Sequence, residues 1–164
     1  GFPGLIDVYD ATDMEVDCGD SGAGRSDVWL VVFGMQDVAW MAGNGGAFDV
    51  SDVRTETLED SDGGKYDGYV KNLLAYPGLF VGSKQSIVRI KNVGSSFDDD
   101  KVFDALAKFP AHKTPTAIFA NRTALNNLRK SRTATNATGA PAPTPTEVGG
   151  IPIEVTESIP DTTA

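Results

Sequence analysis

Acidic side chains at short spacing near the N-terminus are the first residues of this sequence that suggest chemistry. Asp13, Glu15, Asp17 and Asp20 supply carboxylate oxygens, which are the ligands that Ca²⁺ prefers. The series lacks the fixed spacing and the bidentate glutamate of an EF-hand loop. We therefore interpret these residues as solvated surface and predict no metal site there.

A second acidic cluster surrounds a Gly-Gly pair. Asp60, Asp62 and Asp67 lie around this pair and fit a hairpin turn better than a cation site. The chain has one cysteine, Cys18, and one histidine, His112. A zinc site needs three or four ligands, and a disulfide needs two thiols. The sequence therefore predicts no metal, no cofactor and no internal disulfide.

The candidates for catalysis or modification are weak. His112 has no serine or cysteine nucleophile nearby in a recognisable elbow, so we predict a surface position for it. The glycine-rich stretches 19–24 and 43–46 do not follow a strand and open a helix, as a phosphate loop requires. The tripeptides beginning at Asn121 and Asn136 match the glycosylation pattern, and we expect neither to be used. We predict no catalytic residue and no enzyme activity, although a triad assembled in space stays open.

Charge is distributed unevenly along the 164 residues, whose net charge is −9. Residues 1–83 hold 15 acidic and 4 basic side chains (−11), and residues 84–164 hold 8 and 10 (+2). An acidic protein repels phosphate, so direct nucleic-acid binding is disfavoured. Surfaces of opposite sign would help copies of the chain to meet, although ordinary solvated charge is the simpler explanation. No apolar run reaches the roughly 18 residues of a membrane span.

Strand patterns dominate the first two thirds of the chain. Apolar β-formers at 28–33 predict a buried strand, with 38–41 as its neighbour after a turn at 34–37. Further strands are predicted at 53–58, 65–76, 79–81 and 86–91, with a hairpin turn at 60–64.

Helix signals come late. Ser96 is the predicted N-cap of a first helix, which buries Val102, Phe103, Leu106 and Ala107 and ends at Pro110. A second helix starts near Asn121 and buries Leu125 and Leu128. These patterns predict an α+β fold, in which two short helices pack on a mixed or antiparallel sheet.

The C-terminal third contains a long polar segment. Residues 133–147 are rich in Pro and Thr and lack large apolar side chains, so we predict a flexible loop. The chain then returns as a strand, because Ile151, Ile153 and Val155 alternate. Pro152 lacks an N–H and should sit at the start of that strand or on a sheet edge.

The same segments carry a resemblance to a known family. A strand leads through Asn-Arg-Thr at 121–123 into a helix, and Gly-Gly-Ile-Pro-Ile at 149–153 opens the closing strand. This ending resembles the C-terminal portion of tailed-bacteriophage major capsid proteins. Residues 26–34, 57–69 and 88–93 are similar to the same family in the same order. The resemblance implies the Hong Kong phage-type capsid fold, with residues 1–164 as one capsid-like domain, comprising the axial (A) domain and part of the peripheral (P) domain.

The resemblance also implies a function. The chain would be a fragment of a major capsid subunit of a phage or prophage, assembled in the bacterial host cytoplasm into the virion. Its partners would be copies of itself in pentamers and hexamers, and scaffold or decoration proteins. DNA would touch it only non-specifically inside the shell, and no membrane would be involved.

Two alternatives stay open. Another virion component or adhesive β-rich binding module would be favoured by an exposed aromatic patch at Trp40, Phe48 or Tyr76. A hydrolase would be favoured by a deep pocket that brings His112 together with carboxylates.

Overall fold

The computed structural model describes residues 11–21, 24–43, 49–137 and 139–161. In chain order its strands are β1 (Glu15–Asp17), β2 (Ser26–Val31), β3 (Val38–Ala42), β4 (Asp49–Val50), β5 (Arg54–Glu59), β6 (Lys65–Val70), β7 (Leu73–Leu74), β8 (Pro77–Val81), β9 (Ile87–Val93), β10 (Ala117–Ala120), β11 (Glu147–Val148) and β12 (Ile151–Val155). The helices are α1 (Asp99–Leu106) and α2 (Arg122–Ala134), and short 3-10 turns span Ala11–Met14 and Lys84–Ser86. Neither α-helix in this part of the chain has the length and apolar character that crossing a membrane requires.

The chain divides into two compact units, residues 1–38 with 81–164 and residues 39–80. The first unit contains a six-stranded sheet in the order β1-β9-β2-β10-β12-β11. Strands β1 and β9 are parallel, as are β10 and β12, and the other neighbours are antiparallel. The predicted α+β class and mixed sheet are therefore confirmed.

The core lies between one face of this sheet and the two helices. Val28 and Leu30 of β2 and Val88 and Ile90 of β9 are fully buried. The continuous apolar run at 28–33 predicts this burial for β2. The helices cover them with a small set of buried side chains: Val102, Ala105, Ala124 and Leu128. Burial on this face stabilises the sheet and fixes its register, because a slip of one residue would expose every core side chain.

Helix α1 differs from its prediction in both its cap and its buried face. Asp98, not Ser96, is the N-cap, and its Oδ1 accepts a hydrogen bond from Lys101 N at 3.0 Å. Val102 is buried as predicted, but Phe103 is 52% exposed and Leu106 is only half-buried. Ala107 is exposed as well. The buried face is therefore rotated toward Ala105, which is fully buried in the core.

Helix α2 begins where it was predicted and runs further. The Asn121 side chain caps it by accepting a hydrogen bond from Ala124 N at 2.8 Å. Leu128 is buried as predicted, whereas Leu125 is half-buried. The helix continues through Ala134, so the first two residues of the predicted loop 133–147 are helical and Glu147 is in β11. Near this C-terminal end of α2, Arg132 donates two hydrogen bonds to Asp99 of α1 at 2.8 and 2.6 Å.

The closing strand β12 spans residues 151–155. Ile151 is buried, Ile153 is half-buried and Val155 is exposed. Pro152 is the second residue of β12, before the pairing of Ile153 with Ile118 in β10 begins. Its missing N–H therefore costs no bond to β10.

The second unit, residues 39–80, is a nested antiparallel hairpin that we call the ribbon. Three two-stranded segments follow one another along it: β3 with β8, β4 with β7, and β5 with β6. At its tip, Asp60 Oδ1 accepts hydrogen bonds from Asp62 N and Gly64 N at 2.8 and 3.0 Å, which confirms the predicted turn. The predicted single strand 65–76 is divided into β6 and β7.

The predicted pairing of β3 with β2 is wrong. Strand β3 pairs with β8, and only an isolated bridge joins Phe33 to Val38. Both edges of β2 are occupied by β9 and β10, which bring Val88 and Ile118 into the core. The more exposed Ala-Trp-Met segment of β3 therefore has no place beside β2.

Candidate functional site

Three members of the N-terminal acidic series, Glu15, Asp17 and Asp20, form hydrogen bonds or ion pairs within the protein, and Asp13 is exposed. Glu15 lies 3.2 Å from Lys91 Nζ. Asp17 Oδ1 accepts hydrogen bonds from Asn92 Nδ2 at 2.9 Å and from Gly19 N at 2.8 Å, and these lower the pKa of its carboxyl. Among the described residues, no three His, Cys, Asp or Glu side chains are arranged to hold a metal ion.

Asp20 forms a clasp across two loops. Its Oδ2 accepts hydrogen bonds from Gly94 N at 3.0 Å and Ser96 N at 2.9 Å, and its Oδ1 accepts one from Ser96 Oγ at 2.9 Å. Burial acts to raise the pKa of Asp20, but these hydrogen bonds outweigh it and the pKa is lowered. The serine predicted to cap α1 is therefore a donor to Asp20, and the clasp fixes the approach to α1.

A cluster that sequence reasoning missed joins Asp37, Ser86 and Lys113; we call it the Asp37 cluster. Ser86 Oγ donates a hydrogen bond to Asp37 Oδ1 at 2.6 Å, and Lys113 Nζ approaches the same oxygen at 2.5 Å. Hydrogen bonds from Lys113 and then Ser86 lower the pKa of Asp37. A serine beside a lysine resembles a nucleophile with its base, but Ser86 is fully buried and donates its proton to a carboxylate. The cluster therefore holds together three segments that connect strands: those before β3, β9 and β10.

A second missed cluster centres on Arg89 in β9. Its Nε and Nη2 donate hydrogen bonds to Asp27 Oδ2 at 3.0 and 2.6 Å, and Nη1 lies 3.4 Å from Glu15 Oε1. The guanidinium also stacks over Trp29, 5.5 Å from the ring centroid. Asp27 is only 5% exposed, so Arg89 compensates a buried charge. No sequence spacing signals this cluster, because its members lie on three strands that only the sheet order brings together.

The single histidine and the two glycosylation tripeptides differ in their exposure. His112 is exposed, as predicted. Asn121 is buried, and its Nδ2 donates a hydrogen bond to Asp161 Oδ1 at 2.6 Å, so this amide is not available for glycosylation. The tripeptide at Asn136 extends to residue 138, which lies outside the described residues.

The hydrolase alternative gains no support from the described cavity. This cavity holds about 10 Å³, at most the room of a single water and far below the several hundred Å³ of a ligand pocket. Its lining is apolar and includes Val28, Phe97, Leu125, Leu128 and Ile153. His112 is not among its lining residues, so this cavity does not bring the histidine together with carboxylates.

The most unusual surface belongs to the ribbon. Ten of the fourteen exposed large apolar side chains of the described residues lie within 39–80: Trp40, Met41, Val50, Val53, Tyr66, Tyr69, Leu73, Leu74, Tyr76 and Phe80. Trp40 is 70% exposed and Tyr69 is 85% exposed. Phe48, also named in the adhesive alternative, lies outside the described residues. Large contiguous apolar patches mark interaction sites, so the ribbon is the candidate interaction surface of the described residues.

Comparison with known proteins identifies one match that covers almost the whole chain. The family model described as Major capsid protein GP7 matches residues 6–163. No curated protein matches the sequence. The matched region includes both units and every element described above.

Proposed function

The chain belongs to the family of the major capsid protein GP7, and we propose that its copies form pentamers and hexamers of an icosahedral phage shell. Family membership makes the chain a structural major capsid subunit, part of the virion, that assembles with copies of itself. The proposal adds the Hong Kong phage-type arrangement, assembly in the bacterial cytoplasm and the absence of catalysis. Scaffold or decoration proteins and non-specific contact with DNA inside the shell belong to the same proposal.

The exposed apolar surface of the ribbon is the observation that carries this proposal. A subunit that works by repeated burial against identical neighbours needs such a surface, whereas an enzyme needs a concave site with converging polar groups. The polar clusters that might have formed a site are instead engaged in holding the fold. The Asp37 cluster and the Arg89 cluster both link strands or connections that are distant in sequence.

Production of the capsid protein containing this chain in a bacterial host tests the proposal. We expect closed particles of uniform diameter, detected by sedimentation and electron microscopy of the lysate. Soluble protein without particles, under conditions in which the protein is folded, would contradict the proposed shell.

The adhesive alternative keeps one specific observation in its favour, because Trp40 and Tyr76 are both exposed. Aromatic side chains are also enriched at the centres of protein–protein interfaces, so their exposure alone does not separate the two functions. Binding of fluorescently labelled chain to host cells tests the alternative. Saturable binding that is lost with Trp40→Ser would favour an adhesive module, and its absence together with particle formation would exclude it.

A further inference from the structure

We propose that the acidic tip of the ribbon of one copy docks against the cationic side of helix α2 on a neighbouring copy. This inference rests on the proposed shell function and assigns one of its contacts to named surfaces. The partner of the ribbon is a second copy of the same chain.

The ribbon has the composition of an element that is covered in the assembled state. None of its described residues is buried. An isolated two-stranded hairpin is marginally stable at best in water. Leu58 and Tyr66 face each other across the two strands, and their apolar side chains lie beside Gly68. This contact buries little surface, because Tyr66 is still 52% exposed. Contact with a partner would therefore stabilise the ribbon as well as the assembly.

The tip of the ribbon is strongly acidic. Residues 56–67 include five acidic side chains and one basic side chain, Lys65, a balance of −4. Asp60 is used to close the turn and Asp67 accepts a hydrogen bond from Thr57 at 3.1 Å. Glu59 and Asp62 are exposed, and the structure gives their side chains no hydrogen bond or ion pair. These two carboxylates are therefore available to a partner.

Helix α2 and the segment after it provide charge of the opposite sign. Residues 121–146 include four basic side chains and no acidic side chain, a balance of +4. Arg132 pairs with Asp99, and Arg122 pairs with Glu157. Lys130 is exposed and Arg129 is half-buried, its Nη2 3.4 Å from the neutral Asn126 Oδ1. Arg129 and Lys130 therefore carry positive charge that no described carboxylate offsets by an ion pair.

The two surfaces are complementary and different, and this determines the kind of assembly. Every copy carries both surfaces, so each can give its ribbon to one neighbour and receive the ribbon of another. Such a head-to-tail contact forms a ring when the rotation between neighbours closes. An acidic tip is repelled by nucleic acid and by an anionic membrane, which leaves a basic protein surface as the matching partner.

Charge reversal on each side gives a decisive test. One variant carries Glu59→Lys and Asp62→Lys, and the other carries Arg129→Glu and Lys130→Glu; Asp60 stays unchanged because it closes the turn. Each variant alone should lower the particle yield by about tenfold or more, because close charge pairs across interfaces contribute this much to association. Coexpression of the two variants should restore association between unlike copies, measured by co-purification of one variant with an affinity-tagged copy of the other, since each then offers the charge that the other lacks. Complete particles are not expected from the mixture, because the two variants cannot alternate around a ring of five copies.

The controls separate the possible failures. Asp104→Lys with Glu154→Lys makes the same change in net charge as Glu59→Lys with Asp62→Lys, at two exposed positions elsewhere, and should leave the yield unchanged. Thermal midpoints of every variant, compared with the unaltered protein, establish that each is folded. A chain that carries all four reversals should also form particles.

Three results would overturn the inference. Particles from all variants would show that the ribbon does not dock on α2, while the shell function stands. Particles from the four-fold variant without co-purification of the two single-side variants would place the contact within one chain. No particles from the unaltered protein would instead refute the shell function itself, and the inference with it.

Discussion

Lys113 Nζ lies 2.5 Å from Asp37 Oδ1 although the two residues are 76 positions apart in the sequence. Asp37 ends the turn after β2, and Lys113 precedes β10. The ion pair therefore links the segment after β2 to the segment before β10, which is its neighbour in the sheet. The buried Ser86 hydroxyl forms hydrogen bonds with both side chains.

This relationship predicts a loss of stability in acid. The pKa of Asp37 lies below its usual 3.8 in the folded protein, and the pKa values of Asp17 and Asp20 are lowered as well. A depressed folded-state pKa stabilises the fold above the unfolded pKa, and this stabilisation is lost as the pH falls through the folded value. Urea midpoints should therefore be steady from pH 7 to about pH 5 and fall below about pH 4. Lys113→Met should lower the midpoint at pH 7 and weaken its acid dependence, whereas Lys84→Met should change neither.

Removal of Arg89 should be the most damaging change of a charged residue. Arg89→Met leaves the carboxylate of Asp27 buried without a partner, since Asp27 Oδ1 already lacks a hydrogen bond among the described residues. We expect a loss of roughly 3 kcal/mol in the free energy of unfolding, the lower end for a buried pair because Arg89 is 31% exposed. Arg54→Met is the matched control: its pair with Glu56 is exposed, so the loss should be about 1 kcal/mol or less. Equal losses in chemical denaturation would contradict this account.

The revised helix faces predict unequal effects of truncation in the core. Leu128→Ala should cost about 2–5 kcal/mol, because this side chain is fully buried against the sheet. Phe103→Ala should cost less, since the ring is exposed and lies against Gly149 in the turn before β12. Thermal and urea unfolding of the two variants measure the difference. A larger loss of unfolding free energy for Phe103→Ala than for Leu128→Ala would show that Phe103 belongs to the buried face of α1, as the helical spacing predicts.

The single cysteine should be inert in the native protein. Burial is the largest cause that raises the pKa of Cys18 to about 12, and the thiolate is the reactive form. At pH 8 we expect alkylation by iodoacetamide to be at least ~100-fold slower than in guanidinium chloride, where the thiol titrates normally. Similar rates in the two conditions would mean that the core around Cys18 opens readily.

The flexibility of residues 133–147 stays a prediction. The hydrogen bonds at the two ends of this segment indicate which part of it should be cleaved first. Both ends are anchored: Ala142 N donates a hydrogen bond to Thr133 Oγ1 at 3.0 Å, and Ile153 N donates one to Thr146 O at 2.9 Å. Pro145 is buried. We therefore expect proteinase K to cut first between residues 135 and 141. Trypsin is unsuitable, because no Lys or Arg follows Arg132. Resistance of the whole segment would show that it is packed.

The sequence by itself determined the local structure of this chain. Strand β2 follows from a continuous apolar run and β9 from its apolar β-formers, and the turn at Asp60 follows from Gly-Gly among acidic residues. Helix α2 follows from Asn121 before a helical apolar period. Each of these signals acts over a few residues, because side-chain periodicity and capping are local properties of the backbone. The order of elements was also enough to show the resemblance to capsid proteins.

Tertiary structure alone decided which elements meet. Pairing of β3 with β8 and the choice of Asp98 over Ser96 as a cap both depend on residues distant in sequence. So do the clusters around Asp37 and Arg89, and the exposed apolar side chains of the ribbon. Apolar alternation predicts that a strand has a buried face, but not which neighbour buries it. The described residues of the ribbon include no element that covers its apolar side chains. A pair of strands has no second layer to bury its faces.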